Sequence, residues 1–357
     1  MVTYTLGCIL SSFLVGIFKK KYENDKKSIA EHNYLVLYAF FAGLPLTIIS
    51  AIRYDVGKDY LMYKLRFSQI AAGSEIKDFE VLFSLLNKAI SKLGGDYTWL
   101  FAITSIIFVT LVMATIIRDS SLPELSAYLL VTTTYYFSAM NGIRQMIGCS
   151  IVLFSIHFIE SRKLIPFSIC IIIAAGFHHI CLLFFIAYFI YDYSFSRKFV
   201  VFSTLLIGLL SPIISKLINY ITSFTKYYWY WNSTYAESKS GGYITFSIGA
   251  LILVFALLCF SEEDKHFQFF LKMQTISVWL SFFVDKVPMI QRVKWVFGLS
   301  VIILIPLILK NLKDGKTRSM ATISIYTLYY VYFYYSVGIN NSNSVIPYQT
   351  IFSNGVR

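Results

Sequence analysis

The chain has 357 residues, of which 57% are hydrophobic and only 14% are charged. This apolar excess excludes a soluble globular domain, because many runs approach the ~20 residues that cross a bilayer. The net charge of +12 does not indicate nucleic-acid binding, because the basic residues lie mainly between apolar runs, where they set topology and contact anionic lipid. The five cysteines lie in apolar runs and form neither a zinc motif nor a disulfide framework.

Apolar stretches long enough to enter a membrane follow one another along the chain. They cover residues 3–18, 34–52, 97–117, 125–141, 143–159, 164–191, 199–218, 243–260, 267–284, 296–310 and 319–337. Backbone in lipid must be helical or closed into a barrel, and the alternation of a barrel is absent. We therefore predict an all-α, polytopic integral membrane protein with about 11–12 transmembrane segments, forming a single transmembrane domain over residues 1–357.

Residues 164–191 are too long for one straight span and too short for two full spans. Gly176, followed by two histidines, marks the point where this stretch would break. We predict two short tilted helices that meet at Gly176, and one long tilted helix is the alternative.

The orientation follows from the lysines after the first span. Lysines cluster between residues 19 and 27, and the positive-inside rule places such a short basic loop in the cytoplasm. The stretch 34–52 then runs outward, so residues 53–96 lie on the outer face. Within them, residues 79–90 have the apolar spacing of an amphipathic helix at the membrane surface.

The stretch 53–63 carries two acids and two bases directly after the apolar run 34–52. These are Arg53, Asp55, Lys58 and Asp59. Gly57 among them permits a tight turn or a close approach to a ligand. The tyrosines of the stretch also suit a membrane interface, so an ordinary wet loop with an aromatic anchor is the alternative interpretation.

Several further polar residues lie at or near the predicted outer face. Arg144 follows Asn141-Gly142, where two spans meet with almost no loop, and a charge at such a depth is a functional candidate by default. Arginine forks bind phosphate bidentately, while an aspartate or histidine can orient or deprotonate a hydroxyl. Topology or lipid contacts are the alternatives for Arg53 and Arg292, and a core position is the alternative for His178 and His179.

Four stretches resemble motifs of the EpsG family of Wzy-type polysaccharide polymerases. In chain order they are Arg53-Tyr-Asp-Val-Gly-Lys-Asp59-Tyr60 with Tyr63 after it, Asn141-Gly-Ile-Arg144-Gln145, Phe177-His178-His179, and Gln291-Arg292 before Trp295. The chain departs from the family pattern at Lys58, where a threonine is frequent, and at Trp295, where a tyrosine is common. The likeness extends over most of the chain in order and hydropathy.

The resemblance implies an enzyme that joins oligosaccharide repeat units carried on undecaprenyl diphosphate. It would act as a glycosyltransferase with a lipid-diphosphate donor, on the outer face of a bacterial plasma membrane, in capsule or exopolysaccharide synthesis. An arrangement like that of GT-C glycosyltransferases is one fold that fits this expectation. The implied partners are the lipid-linked oligosaccharide, membrane lipid, and a chain-length regulator and flippase of the same pathway, without nucleic acid. We expect no cofactor and no metal.

The resemblance also implies roles for single residues. Catalysis falls to Asp59, His178 and His179, and substrate binding to Arg53, Lys58, Tyr60, Tyr63, Arg144, Gln145 and Arg292. Which of the first three acts as the base stays open at this point.

Two other classes of membrane protein compete with a polymerase. A flippase for lipid-linked sugars would show paired repeats, and the chain has no evident repeat. A membrane O-acyltransferase would use an embedded histidine but leaves Arg53, Asp59 and Arg144 without a role. Deletion of the gene separates the three classes by the species that accumulates. Loss of a polymerase leaves single lipid-linked repeats that face outward, and loss of a flippase leaves repeats that face inward. Loss of an acyltransferase leaves full-length polymer without acyl groups.

The topology makes a direct prediction. In intact cells, an impermeant thiol reagent should label Lys58→Cys on the outer face and leave Lys26→Cys unlabelled in the cytoplasm, in a background without the native cysteines. The reverse pattern would invert the orientation.

Overall fold

The computed structural model describes residues 1–25, 34–76, 78–233 and 242–353. Lys26 and Lys27, which contribute to the basic cluster used for orientation, lie outside the described residues. Within the described residues the regular structure is helical, apart from a single bridge between Arg53 and Thr350. The all-α class is confirmed.

The α-helices of the described residues are numbered in chain order. They are α1 Val2–Asp25, α2 Tyr34–Ala51, α3 Tyr60–Ala71, α4 Val81–Lys92, α5 Tyr97–Asp119, α6 Pro123–Thr132, α7 Tyr135–Asn141, α8 Ile143–Glu160, α9 Leu164–Phe177, α10 Phe185–Ile190, α11 Arg197–Thr222, α12 Gly242–Leu258, α13 Lys265–Ser281, α14 Ile290–Gly298, α15 Val301–Asn311 and α16 Gly315–Phe333. Short 3₁₀ segments cover His179–Phe184 and Lys226–Asn232, and a π-helical turn covers Tyr334–Ile339.

Five helices among the described residues are long and apolar enough to cross a membrane, and a sixth span results if α14 and α15, bent by 43°, count as one. The five are α1, α2, α5, α8 and α11. Three shorter apolar segments, Leu164–Phe177, His179–Ile190 and Tyr243–Leu258, add to them. The multi-pass membrane class is therefore confirmed, while the number of 11–12 segments stays a prediction.

The chain divides into two compact units. The first comprises Met1–Leu182 and Asp314–Arg357, and the second comprises Leu183–Lys313. In the first unit, α2 and α8 pack on α5, α1 packs on α2 and α6, and α9 packs on α8. Helix α5 lies at the centre, and most of its side chains are buried.

The second unit is organised around α13, which packs against α11, α12, α14 and α15. Polar side chains on α13 join neighbouring segments inside this unit. Lys272 Nζ donates to the carbonyls of Ile190 (3.0 Å) and Tyr191 (2.6 Å), and Gln274 Nε2 donates to the carbonyl of Gly249 at 2.8 Å. A cation beside the final carbonyls of α10 has the favourable sign for the helix dipole.

Two predicted spans are interrupted in the structure. The stretch 125–141 forms α6 and α7, separated by Thr134 in the left-handed region (φ 70°). Hydroxyls of the two preceding threonines donate back to carbonyls of α6, Thr132 to Tyr128 at 3.0 Å and Thr133 to Leu129 at 2.6 Å, and such bonds compete with regular helix. The stretch 296–310 is likewise bent between α14 and α15.

The break expected near Gly176 is present. Helix α9 ends at Phe177, and a 3₁₀ segment begins at His179, so the two-helix interpretation is correct and the single tilted helix is wrong. Gly176 also allows α9 to approach α4, because a Cβ at this position would lie 2.5 Å from Leu82 Cδ1. The break therefore places the two histidines beside the start of α4.

The segment 53–96 contains two helices, α3 and α4. The amphipathic helix expected over residues 79–90 is α4, Val81–Lys92, and its buried residues Phe83, Asn87 and Ile90 are spaced on one face. Helix α4 packs against both α3 and α9.

A late part of the chain closes around the loop before α3. Backbone N–H groups of this early region donate to late carbonyls, Tyr54 to Gln349 at 2.9 Å and Gly57 to Ser344 at 2.8 Å. The Ile351 N–H in turn donates to Ile52 at 2.9 Å. These bonds satisfy backbone polar groups of a loop in which Arg53 and Val56 are buried while Asp55 and Lys58 are exposed.

Gly57 is the position where this closure is most sensitive to substitution. Its φ is +108°, and an added Cβ would lie 3.0 Å from Asn141 Oδ1, whereas Gly73 has φ +89° with open space around it. We expect Gly57→Ala to lower thermal stability in detergent by about 1–3 kcal/mol, and Gly73→Ala, which is strained but not crowded, to cost less. Equal losses would show that the approach to Asn141 is unimportant.

Candidate functional site

Arg53 lies two residues after the end of α2 and is 1% exposed. Its Nη1 donates to the Ser50 carbonyl (2.9 Å) and hydroxyl (2.8 Å), and its Nη2 donates to the Met140 carbonyl at 3.0 Å. The guanidinium also stacks over Phe101, 4.5 Å from the ring centroid. Arg53 therefore joins α2, α5 and α7, and its role in substrate binding stays a prediction.

The other residues of the first motif surround this junction. Tyr60 is buried and stacks on Phe101 with 4.6 Å between ring centroids. Asp59 is half-buried at the N-terminus of α3, and its backbone N–H donates to Asn141 Oδ1 at 3.4 Å. Lys58 is exposed. The first motif is thus held against the second motif through Asn141.

Arg144 is the second residue of α8 and is bound by three groups from the segment before α4. Its Nη1 donates to the Asp78 carbonyl at 2.8 Å and forms an ion pair with Glu80 Oε2. Its guanidinium lies over Phe79 at 4.8 Å. The side chains of Arg144 and Glu80 are only 15% and 14% exposed. Tyr63, from the first motif, also hydrogen-bonds with Arg144.

The two histidines face the other oxygen of the same carboxylate. His179 Nδ1 lies 3.2 Å from Glu80 Oε1, and His178 Nδ1 lies 4.0 Å from it. The imidazole rings stack with centroids 5.2 Å apart. The His178 side chain is 7% exposed and that of His179 is 60% exposed. One carboxylate therefore joins Arg144 to both histidines.

Glu80 is held in its ionised form. Burial raises the pKa of this carboxyl, but the hydrogen bond with His179 and the charge of Arg144 outweigh burial and lower the pKa to about 2. The carboxylate is therefore negative throughout the physiological range.

A family model described as the EpsG family matches residues 8–350. The chain belongs to the EpsG family. EpsG is a family of Wzy-type polymerases, so the protein is a multi-pass membrane protein of the polysaccharide polymerase type. No curated protein and no solved structure matches the chain.

The structure of this EpsG-family chain brings together residues that are distant in sequence. Tyr63, Arg144, His178 and His179 meet around Glu80, and we call these five residues the Glu80 cluster. Of the remaining predicted site residues, Gln145 is buried on α8. Arg292 lies in the second unit near the start of α14, where its N–H donates to the Met289 carbonyl at 2.9 Å.

Glu80 is the member of this EpsG-family cluster that we did not predict from the sequence. The available signal was physical, because an arginine placed near the membrane boundary requires a counter-charge. Glu80 lies directly before the apolar run of α4, where an anion also has the favourable sign for the helix dipole. Its pairing with a residue 64 positions away depends on how α4, α8 and α9 pack.

A cavity of about 330 Å³ opens beside the cluster, between α3 and α4. Phe79, whose ring lies under the Arg144 guanidinium, also lines this cavity, together with the polar residues Ser74, Glu75, Ser84 and Lys88.

Proposed function

We propose that this protein polymerises oligosaccharide repeat units that are carried on undecaprenyl diphosphate, on the outer face of a bacterial plasma membrane. The product is an exopolysaccharide or a capsular polysaccharide. Family membership supports the polymerase class, and the observation that carries the substrate assignment is Arg144, a nearly buried arginine at a helix start. A flippase supplies the lipid-linked units, and a chain-length regulator of the same pathway is a further partner.

Arg144 binds the diphosphate of the donor in this proposal. Its Nη1 is shared by Asp78 and Glu80, while its buried Nε makes no hydrogen bond within the described part of the chain. A buried donor without an acceptor costs about 1–3 kcal/mol, and a phosphate oxygen that reaches the guanidinium would remove this penalty. An incoming diphosphate competes with Glu80, so binding exchanges one anion for another on the same fork.

Asp59 orients the acceptor hydroxyl. The bond between the anomeric carbon and the diphosphate oxygen breaks, a bond from the acceptor oxygen to that carbon forms, and the hydroxyl proton passes to Asp59. The electron pair leaves with the lipid diphosphate, whose charge Arg144 stabilises. The anchoring of Asp59 by Asn141, three residues before Arg144, supports this pairing of roles.

The fork of Arg144 is tested by Arg144→Lys, which keeps the charge but loses the planar donors. We expect polymer to fall about ten- to a hundred-fold, as for losing a charged hydrogen bond of about 1.5–3 kcal/mol, with the protein level unchanged. Arg66→Lys is the control, because Arg66 lies on α3 outside the Glu80 cluster and its side chain is 36% exposed. Polymer of normal amount and length from Arg144→Lys would contradict the role.

The role of Asp59 is tested with purified protein and synthetic lipid-linked repeats. We expect Asp59→Asn to bind the repeats but to join them roughly a hundred-fold more slowly, the usual contribution of a general base. Asp55→Asn is a matched control, because Asp55 is exposed at φ 51° and asparagine tolerates this conformation. Normal joining by Asp59→Asn, together with its loss in His178→Ala or His179→Ala, would move the role to a histidine.

A further inference from the structure

Three ligand-type atoms of the Glu80 cluster face one another. They are Glu80 Oε1 and the Nδ1 atoms of His178 and His179. Glu80 Oε1 lies 3.2 Å from the His179 nitrogen and 4.0 Å from the His178 nitrogen. The three residues offer ligand atoms within 4.8 Å of one another. The second carboxylate oxygen is turned away, toward Arg144. Two imidazole nitrogens and one carboxylate oxygen therefore surround a common point.

This donor set has the chemistry and nearly the dimensions of a transition-metal site. Zinc binds histidine nitrogen at about 2.0–2.1 Å, so two ligand atoms on a tetrahedral ion lie about 3.3 Å apart. The Glu80–His179 distance of 3.2 Å already meets this value. The His178 nitrogen, at 4.0 Å from the carboxylate, has to approach by about 0.7 Å. The ligand atoms lie within 4.8 Å of one another and the rings are stacked, so metal binding requires the two imidazoles to turn toward each other.

The backbone positions of the three residues are fixed by packed helices. Glu80 directly precedes α4, His178 directly follows α9, and α4 and α9 pack against each other at Gly176 and Leu82. Ligands at the ends of packed helices are better positioned than ligands on a free loop. Arg144 is paired with Glu80 Oε2, the oxygen that does not face the histidines, and so fixes the orientation of the carboxylate.

We propose that Glu80, His178 and His179 form a binding site for a divalent transition-metal cation such as Zn²⁺. Two imidazoles with one carboxylate favour Zn²⁺ or Fe²⁺ over Mg²⁺ and Ca²⁺, which prefer oxygen ligands. Three protein ligands leave one position open, as in catalytic rather than structural zinc sites. The exposed side of His179 gives this position access to solvent.

The site goes beyond the proposed polymerase, which requires no metal. It also gives the histidines a role distinct from that of a base and is compatible with Asp59 as the group that orients the acceptor. Nothing in the linear sequence joins the ligands, because Glu80 and His179 are 99 residues apart. The adjacent charge of Arg144 opposes a second cation, so we expect weaker binding than in a closed structural zinc site.

The test uses the full chain in detergent, purified through a tag without histidines, stripped with a chelator and titrated with Co²⁺. We expect one Co²⁺ per chain with visible absorption bands of a four- or five-coordinate ion. Equimolar Zn²⁺ should displace Co²⁺ because it binds more tightly, and excess Mg²⁺ should not. A chain that takes up no Co²⁺ and no Zn²⁺ refutes the site without any variant.

Variants locate the metal. Glu80→Gln and His179→Gln should each weaken Co²⁺ binding at least ten-fold, whereas His157→Gln, which changes a half-buried histidine of α8 outside the cluster, should leave it unchanged. Unchanged binding in both cluster variants, or equal loss in His157→Gln, would overturn the assignment. Should a cluster variant not fold, the stoichiometry of the unmodified chain decides. Because the readout requires no polymer synthesis, its failure is distinguishable from failure of the proposed function.

Discussion

The carboxylate of Glu80 is the charge on which the arrangement of Arg144, His178 and His179 depends. Arg144 is only 15% exposed, and a buried ion that loses its partner typically costs about 3–5 kcal/mol. Glu80 compensates Arg144 with one oxygen and contacts His179 with the other. Removing this one side chain would leave the arginine without its counter-charge and both histidines without their common neighbour.

Helix ends explain why the charges lie where they do. Arg144 is in the first turn of α8, where the helix dipole opposes a cation, and Glu80 directly precedes α4, where the dipole favours an anion. The favourable position of Glu80 at the start of α4 thus offsets the unfavourable position of Arg144 at the start of α8, because the two side chains form an ion pair. An arginine at the start of a helix is poorly stabilised by its own backbone, so it is available to an incoming anion of higher charge.

Much of the fold was predictable because the bilayer imposes simple rules on composition. The all-helical class, the break near Gly176 and the amphipathic helix α4 follow from apolar runs, a helix breaker and periodic spacing. The interruption at Thr134 was not predictable in this way, because hydropathy does not distinguish one helix from two with the same apolar residues.

The candidate site was predictable only in part. Arg144, His178 and His179 are prominent because polar groups are rare near apolar helices, whereas Glu80 resembles any acid at a helix start. Arg53 is the reverse case, because the sequence marks it as a binding candidate whereas the structure buries it almost fully and bonds it to backbone carbonyls. Sequence indicates which residues are unusual, while tertiary packing decides which of them meet.

The closure of the first motif by a distant segment has a consequence for biogenesis. Tyr348 donates to the Ile49 carbonyl across 299 residues, and Gly57 bonds to Ser344. During synthesis, the loop around Gly57 leaves the ribosome long before its partners exist. The early helices can enter the membrane in sequence, but the loop that carries Asp59 cannot reach its final form until residues 344–351 arrive. Nascent chains are thus kept from assembling the completed first motif before the second unit has been translated.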